Sequence, residues 1–485
     1  MNKTKKKIVA DSTFLLVSDV LIKLKGIIFF PIIISKVGLE NYGIIVQVLI
    51  NPGIIAGLFS MSLGSNFLRF TSKYSNENRD QIARDFFTVI SFSFILSLIG
   101  ALVLFLLSTH ISEYILSGKS EDIIKLSSLI VINEVIWRNL GFFLKCRKKF
   151  KSFSILVLLY QLLPYLGFVS GILLYSDIFK GLQLFVFIQT LLNIIIFISI
   201  VNKLDFVFPS FSRFKKFVGF SWPLSLSNIS GGLLAKSDRY FIGYFLVPSA
   251  IGLYSVLYMI LSFIDQISVP FRSYIGTYLP KIWDSGNKLK ALEQIRIGMM
   301  MYLSIAFYLL AMAVLYMKDF LLFISGLDFN DLENYLFTVI TIALGVAFLG
   351  LNRFYFQIIQ LSRQNHFQFL FQSIWLIFNI SLNIVLMPIL GLLAAGIATF
   401  IGYFSIFIIN HIYFRIPFNP KIMFLQIIAL GICFLVTQIT VISSSTDNIL
   451  FFSISIFASS IIFFVFLYLL LNLFKVNEIF KLKYV

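Results

Sequence analysis

The stretch LQLFVFIQTLLNIIIFISIVN, residues 182–202, contains no charged side chain. A helix needs about 20 apolar residues to cross a hydrocarbon core of about 30 Å, so this stretch predicts a membrane-spanning helix. The whole chain has the same character, with 59% hydrophobic and 13% charged residues among 485. Soluble domains carry about 25% charged residues. The sequence therefore predicts an all-α polytopic membrane protein.

Apolar segments of similar length recur along the chain, separated by short polar loops, and we count about fourteen. The predicted spans cover residues 12–35, 42–68, 86–108, 123–145, 152–175, 182–202, 218–246, 251–280, 297–316, 334–360, 367–389, 391–414, 422–443 and 449–474. Among the loops, 27 Lys and Arg residues lie on one predicted side of the membrane and 5 on the other. Because cytoplasmic loops are enriched in Lys and Arg, both termini are expected in the cytoplasm. Basic loops beside an anionic leaflet also explain the net charge of +17 without a nucleic-acid partner.

Two short motifs indicate an internal duplication. Residues 38–43 (GLENYG) end the first loop, and residues 250–255 (AIGLYS) occupy the corresponding place 212 residues later. The same shift relates Arg69 to Lys281, each at the end of a predicted span. An even number of spans in each half makes the repeat parallel, about an axis along the membrane normal. We predict a six-helix lobe over 1–205, a second over 206–415, and two further transmembrane helices with a cytoplasmic tail over 416–485.

Charged residues inside the predicted spans carry most of the functional information. Seven are basic and four acidic: Asp19, Lys23, Lys25, Glu134, Arg138, Lys236, Asp238, Arg239, Asp265, Arg272 and Arg353. A charge at the bilayer centre costs about 2.5–3.5 kcal/mol on insertion scales, so such residues face a polar cavity or each other. The excess of basic residues predicts a cavity within the membrane that holds an anionic cargo.

Helical spacing suggests ion pairs for part of this set. Asp19 and Glu134 each precede a basic residue by four positions, Lys23 and Arg138 respectively, which places each pair on one helix face. Asp265 and Arg272 are seven residues apart, also on one face. For these residues the sequence leaves two interpretations open, a structural ion pair or a functional role.

The favoured cargo contacts are Lys25, Lys236, Arg239 and Arg353. Lys236 and Arg239 share a helix face and repel each other unless an anion lies between them, whereas Asp238 points elsewhere. Arg353 has no acidic residue at helical spacing. Arginine suits a pyrophosphate because it can donate two parallel hydrogen bonds. Arg138, Arg272 and Lys23 complete the predicted substrate-binding set.

The four carboxylates in the spans are candidates for coupling transport to an ion gradient. Asp19, Glu134, Asp238 and Asp265 could each bind a proton or a sodium ion. No nucleotide-binding GxxxxGK[ST] loop occurs in the sequence, which leaves an ion gradient as the energy source. No Ser/His/Asp, Cys/His or metal-ligand cluster is evident. We therefore predict a transporter rather than an enzyme, with no catalytic residues, no metal site and no cofactor beyond the coupling ion.

Three segments resemble motifs of a known family. Residues 30–43 (FPIIISKVGLENYG) look like the first-hairpin signature of the polysaccharide exporters. Residues 236–243 (KSDRYFIG), followed by 250–254 (AIGLY), resemble their seventh-helix motif, and residues 391–399 (GLLAAGIAT) are similar to the start of their twelfth helix. The family is that of O-antigen and capsule repeat-unit flippases, often called Wzx-type, in the multidrug/oligosaccharidyl-lipid/polysaccharide exporter superfamily.

This resemblance implies a flippase that moves an undecaprenyl-pyrophosphate-linked oligosaccharide across the bacterial cytoplasmic membrane by alternating access. It also implies a monomer, whose partners are the lipid-linked oligosaccharide, the bilayer and other membrane proteins of polysaccharide assembly. One alternative is a multidrug exporter on the same scaffold, but organic cations call for an acidic cavity. The other is a membrane polysaccharide polymerase or ligase, which the short outer loops disfavour.

Overall fold

The computed structural model describes residues 3–71, 79–118, 120–146, 150–269, 271, 279–280, 282–325, 335–362, 364–416 and 465. Helices account for nearly all of these residues, and no strand occurs among them. The helices are α1 (Lys3–Phe59), α2 (Leu63–Thr71), α3 (Arg79–Leu106), α4 (Ser108–Ile115), α5 (Glu121–Cys146), α6 (Phe150–Tyr175), α7 (Ile178–Val201), α8 (Phe211–Leu234), α9 (Ser237–Phe245), α10 (Pro248–Leu261), α11 (Phe263–Gln266), α12 (Lys288–Ser325), α13 (Leu336–Leu361), α14 (Asn365–Leu390) and α15 (Leu392–Phe414). The prediction of an all-α polytopic protein is confirmed.

Nine of the helices in the described part of the chain are long and apolar enough to cross a membrane. α5 and α8 occupy the positions of the predicted fourth and seventh spans and carry more polar residues. The predicted thirteenth and fourteenth spans lie outside the described residues. The total of fourteen spans therefore stays a prediction.

Helix boundaries differ from the predicted ones where the backbone leaves helical geometry. The first two predicted spans form α1, whose two helical segments meet at Gly38, with φ 77° and ψ 172°. Met61 and Ser62 also have positive φ, which separates α2 from α1. The predicted seventh span is broken at Ala235 and Lys236 into α8 and α9. The spacing of apolar residues does not reveal such breaks, because the apolar pattern of the sequence continues across each break.

The chain divides into two compact units. The first contains Met1–Ile260, Phe323–Leu327 and Gln364–Ala398, and the second contains Leu261–Leu322, Asp328–Arg363 and Thr399–Val485. These units do not follow the predicted lobe boundaries, and the duplication into lobes over 1–205 and 206–415 stays a prediction.

The first unit has an aromatic core. Phe67, Phe86 and Phe143 are buried together, with ring centroids of Phe86 and Phe143 5.0 Å apart. Trp137 stacks on Tyr160 at 4.1 Å between ring centroids. Several apolar side chains of α3 and α7 are instead exposed, such as those of Leu98, Leu102, Phe187 and Ile194. In a membrane protein these faces meet lipid tails rather than water.

The two motifs that suggested the duplication lie against each other within the first unit. A Cβ atom built on Gly43 would overlap the carbonyl oxygen of Pro248, and one built on Gly252 would lie 2.6 Å from the carbonyl oxygen of Leu39. Only glycine allows two backbones to approach so closely. Gly43 and Gly252 therefore have a packing function.

In the second unit, α12 and α13 pack through a tyrosine and a glycine. The Tyr302 hydroxyl donates a hydrogen bond of 3.0 Å to the carbonyl oxygen of Ala347. Gly350 faces the same hydroxyl, and a Cβ atom there would overlap it. A polar group inside the bilayer needs such a partner, because no water is present to supply one.

Candidate functional site

The first unit contains a cavity of about 440 Å³. It is bounded by the carboxyl-terminal part of α1, the Ser60–Ser62 break, α2, α5, the start of α6 and the last turns of α8. Its wall consists of Gly53, Ile54, Gly57, Ser60, Ser62, Leu63, Gly64, Ser65, Trp137, Arg138, Asn139, Gly141, Phe142, Lys145, Phe153, Asn228, Ile229, Gly232, Leu233 and Lys236. Three of these described lining residues are basic and none is acidic.

Lys236 reaches the cavity because the predicted seventh span is broken beside it. α8 ends at Leu234 and α9 begins at Ser237, so Lys236 stands at the junction. Its ammonium group lies against Gly53, where a Cβ atom would be 2.9 Å from Nζ. The missing side chain at position 53 gives the ammonium group its space. Among the residues that the structure describes, no carboxylate forms an ion pair with Lys236.

Arg138 and Lys145 contribute the other two positive charges. Arg138 Nε lies 3.9 Å from Glu134 Oε2, which is a loose contact, and the Arg138 side chain is 40% exposed. Lys145 Nζ lies 4.4 Å from the ring centroid of Phe153 and 5.2 Å from that of Phe142. Lys145 is the last residue of the predicted span 123–145 and was not among the predicted site residues. Its spacing of seven residues from Arg138, two turns along one helix face, was the available signal.

Lys25 and Glu134 are each held by an amide side chain of the first unit. Lys25 Nζ donates to the carbonyl oxygen of Gln161 at 3.0 Å and to its Oε1 at 3.1 Å. The same ammonium group lies 4.8 Å from the ring centroid of Tyr165. Glu134 Oε1 accepts a hydrogen bond of 3.3 Å from Gln189. The predicted roles of Lys25 in cargo binding and of Glu134 in ion coupling stay predictions.

Asp238 is the centre of a buried polar cluster. Its Oδ2 accepts a hydrogen bond of 2.9 Å from Tyr254, and its Oδ1 accepts one of 3.0 Å from Asn383 Nδ2. Ser237 Oγ donates to Asn379 Oδ1 at 3.0 Å. Asn383 is fully buried, and within the described part of the chain its Oδ1 has no hydrogen-bond donor. The Tyr254 hydroxyl of α10 and the Asn383 amide of α14 thus donate to the two oxygens of one buried carboxylate.

Arg239 packs against α10 and not into the cavity. Its Nε donates to Ser255 Oγ at 3.0 Å, and its guanidinium carbon lies 5.4 Å and 5.2 Å from the ring centroids of Tyr254 and Tyr258. Arg239 is 7% exposed and is not part of the cavity wall. Its predicted role as a cargo contact stays a prediction, and its contacts favour packing.

The second unit contains a closed ion pair. Arg353 donates from Nε to Asp265 Oδ1 at 2.7 Å and from Nη2 to Asp265 Oδ2 at 3.0 Å. The expectation from helical spacing was a pair between Asp265 and Arg272, but Arg272 lies outside the described residues. The structure brings Asp265 and Arg353 together from different helices, 88 positions apart. The predicted functional roles of Arg353 and Asp265 stay predictions.

Two further members of the predicted set have no described side chain. Asp19 and Lys23 lie within α1, but their side chains are outside the described part. A buried ion pair that the sequence analysis missed joins Asp85, at the start of α3, to Arg213, at the start of α8. Thr71 Oγ1 adds a hydrogen bond of 3.3 Å to Asp85 Oδ2. Both charges lie near predicted span ends, where a solvated side chain is the usual expectation.

The family assignment follows from a sequence comparison. Residues 8–275 match the family described as polysaccharide biosynthesis protein, which is more than half of the chain. The chain therefore belongs to the polysaccharide biosynthesis protein family. No curated protein sequence matches it.

Solved structures of transporters share the fold. The lipid II flippase MurJ in an inward closed conformation has a TM-score of 0.76 at 15% identity, covering 94% of this chain and 98% of MurJ. An inward-facing MATE family multidrug transporter of the MOP superfamily has a TM-score of 0.61 at 13% identity, with 81% and 97% coverage. A MOP superfamily transporter from Pyrococcus furiosus, whose binding pocket is described as having reverse polarity, has a TM-score of 0.54 at 16% identity, with 88% and 96% coverage. At these sequence identities the similarity shows a shared fold, which is that of a flippase or exporter.

Proposed function

We propose that this protein is a flippase for an undecaprenyl-pyrophosphate-linked oligosaccharide, an O-antigen or capsule repeat unit. The observation that carries the proposal is the cavity of the first unit, whose described wall has three basic side chains and no carboxylate. The polysaccharide biosynthesis family and the shared fold with a lipid II flippase support it.

The cavity suits a phosphate group on electrostatic grounds. Lys236, Arg138 and Lys145 would otherwise repel one another in surroundings where charges are poorly screened. A pyrophosphate between them supplies compensating negative charge and accepts charge-assisted hydrogen bonds. A cavity of about 440 Å³ has no room for a long prenyl chain, so the lipid tail stays in the bilayer. The cavity then binds the polar head group of the cargo while its prenyl tail stays among the lipid tails.

The same charges argue against an organic-cation exporter. A cationic drug would add a positive charge to three existing ones, and Glu134, which lies outside the described wall, already contacts Arg138. The aromatic residues Trp137, Phe142 and Phe153 could pack against such a drug, but aromatic packing does not remove the repulsion. A polymerase or ligase would need a nucleophile with a general base, and the described wall has serine hydroxyls but no His, Asp or Glu to act as the base. Transport of an anionic lipid remains the proposal that the wall supports best.

Ion coupling is proposed at Asp238. Carboxylate, amide and hydroxyl oxygens of Asp238, Asn379, Asn383, Ser237 and Tyr254 lie together in a buried place beside the cavity lysine. Such oxygens are the ligands that hard cations prefer. A sodium ion or a proton bound there would neutralise Asp238 next to the break between α8 and α9. The remaining features of the proposal are a monomer in the bacterial cytoplasmic membrane with both termini cytoplasmic.

The test is transport by the full chain in proteoliposomes. The probe is a fluorescent undecaprenyl-pyrophosphate oligosaccharide, and its movement between leaflets is read by chemical quenching from outside. Protein-dependent movement that a sodium or proton gradient accelerates is the expected result. Movement of a cationic dye without movement of the lipid probe would replace the flippase by a drug exporter. Movement of the lipid probe that no gradient changes would remove the coupling role of Asp238.

A further inference from the structure

Two glycines in the cavity wall have open space where a side chain would be. Gly57 lies on α1 and Gly232 on α8, and a Cβ atom built on either meets no described atom within 4 Å. Gly53 differs, because the Lys236 ammonium group already occupies the space beside it. Side chains at positions 57 and 232 would therefore extend into the cavity without displacing protein atoms.

The size of the cavity limits how much of a cargo head it can enclose. Sites that enclose a drug-sized ligand span about 300–1,000 Å³, and this cavity lies near the lower end at about 440 Å³. A pyrophosphate with one sugar is a group of that size. An oligosaccharide of several sugars must extend beyond the wall, so only the sugar next to the pyrophosphate is enclosed.

Two contacts connect parts of the wall around these glycines. Asn228 Nδ2 on α8 donates to Ser62 Oγ, next to the end of α1, at 3.3 Å, which ties the two glycine-bearing segments together. Trp137 is held by its stack on Tyr160, whose hydroxyl donates to the carbonyl oxygen of Asn133 at 3.0 Å. The room at positions 57 and 232 is set by the absence of side chains there.

We infer that Gly57 and Gly232 determine the largest first sugar that the cavity accepts. This inference rests on the proposed function, because it concerns the cargo of the same cavity. It assigns selection to steric size at two positions, separate from the basic residues that hold the pyrophosphate. A one-methylene change in a pocket typically alters discrimination by about 10- to 200-fold.

The experiment compares Gly232→Ala and Gly232→Leu with the unaltered chain in proteoliposomes. The probes are fluorescent polyprenyl pyrophosphates that carry no sugar, one hexose or one N-acetylhexosamine. For Gly232→Leu we expect at least a tenfold lower rate with the N-acetylhexosamine probe and less than a twofold change with the sugar-free probe. Gly232→Ala should lie between Gly232→Leu and the unaltered chain, and Gly57→Ala should show the same selectivity. Both alanines also favour the helix, which protects folding.

Gly219 supplies the matched control. It lies on α8 like Gly232, has open space around a built Cβ atom and is not part of the cavity wall. Gly219→Leu should leave all three rates unchanged. Equal loss with every probe, or no loss with any, in the Gly57 and Gly232 variants would overturn the size inference alone. No movement of any probe by the unaltered chain would overturn the proposed function, and the inference with it.

Discussion

Two positive charges, Arg353 in the second compact unit and Lys236 in the first, are held in opposite ways. In the second unit, Arg353 is held by both oxygens of Asp265, and the Asp265 side chain is 7% exposed. In the first unit, Lys236 faces a cavity, and no carboxylate within the described residues pairs with it. Both groups are positively charged, but among the residues that the structure describes only Arg353 has a counter-charge supplied by the protein.

This difference separates structural charges from candidate functional ones. A neutralised pair satisfies the demands of the low-dielectric interior by itself, and removing one partner leaves the other uncompensated. A cation at a cavity is compensated only when an anion arrives. We therefore expect removal of a paired charge to lower stability and removal of a cavity-facing charge to lower transport.

The largest expected effect is on stability, in the second unit. Asp265→Ala leaves Arg353 without its bidentate acceptor, and we expect the free energy of unfolding to fall by about 3 kcal/mol. The measurement is thermal unfolding of the purified protein in detergent. In the double variant Asp265→Leu/Arg353→Leu most of the loss should be recovered, because no charge stays buried. An unchanged Tm for Asp265→Ala would show that the pair is not structural.

The next effect is on transport, in the first unit. Lys236→Ala should lower the rate for a pyrophosphate-linked probe by about 10- to 100-fold, since a hydrogen bond to a charged group contributes about 1.5–3 kcal/mol. Its Tm should not fall, because no carboxylate among the described residues is left unpaired. Lys215→Ala is the control, an exposed lysine on α8 outside the cavity wall. A lower Tm with unchanged transport per folded molecule would show that Lys236 is a structural charge and not a cargo contact.

Arg239 tests whether a buried cation outside the cavity wall is a structural charge or a cargo contact. Its hydrogen bond to Ser255 and its position over two tyrosine rings predict a stability loss of about 1–2 kcal/mol for Arg239→Ala. Transport per folded molecule should stay within about twofold of the unaltered chain, because Arg239 is outside the cavity wall. The folded fraction is measured by size-exclusion chromatography beside the transport assay. A much larger transport loss would place Arg239 among the cargo contacts, as its sequence position suggested.

The smallest effect is expected at an exposed pair. Lys125 Nζ lies 2.7 Å from Glu121 Oε1, and both side chains are partly open to solvent. Exposed pairs add little to stability and are screened by salt. Lys125→Ala should therefore change neither Tm nor transport in the assays above. A clear drop in Tm would mean that Glu121, which also accepts a hydrogen bond from Thr109, anchors α4 to α5.

Helices and contacts between residues close in the chain could be predicted from the sequence. Apolar length predicted the helices, and the spacing of Glu134 and Arg138 predicted that they lie near each other. Contacts between distant helices could not be predicted in this way. Arg353 has no acidic residue at helical spacing, and its partner Asp265 lies 88 positions away along the chain. Lys145 and the Asp85–Arg213 pair were missed because each lies at a predicted span end.

The sequence by itself determined the class of protein, because hydrophobicity over about 20 residues is a local property that the bilayer reads directly. It also identified which charges needed an explanation. Only the tertiary structure decided which explanation each one has. Lys236 faces a cavity because α8 and α9 break beside it and Gly53 leaves space, whereas Arg353 is neutralised because α13 meets the Asp265 helix. A counter-charge acts over a few ångströms in space. The separation of two residues along the chain does not tell whether they lie that close together.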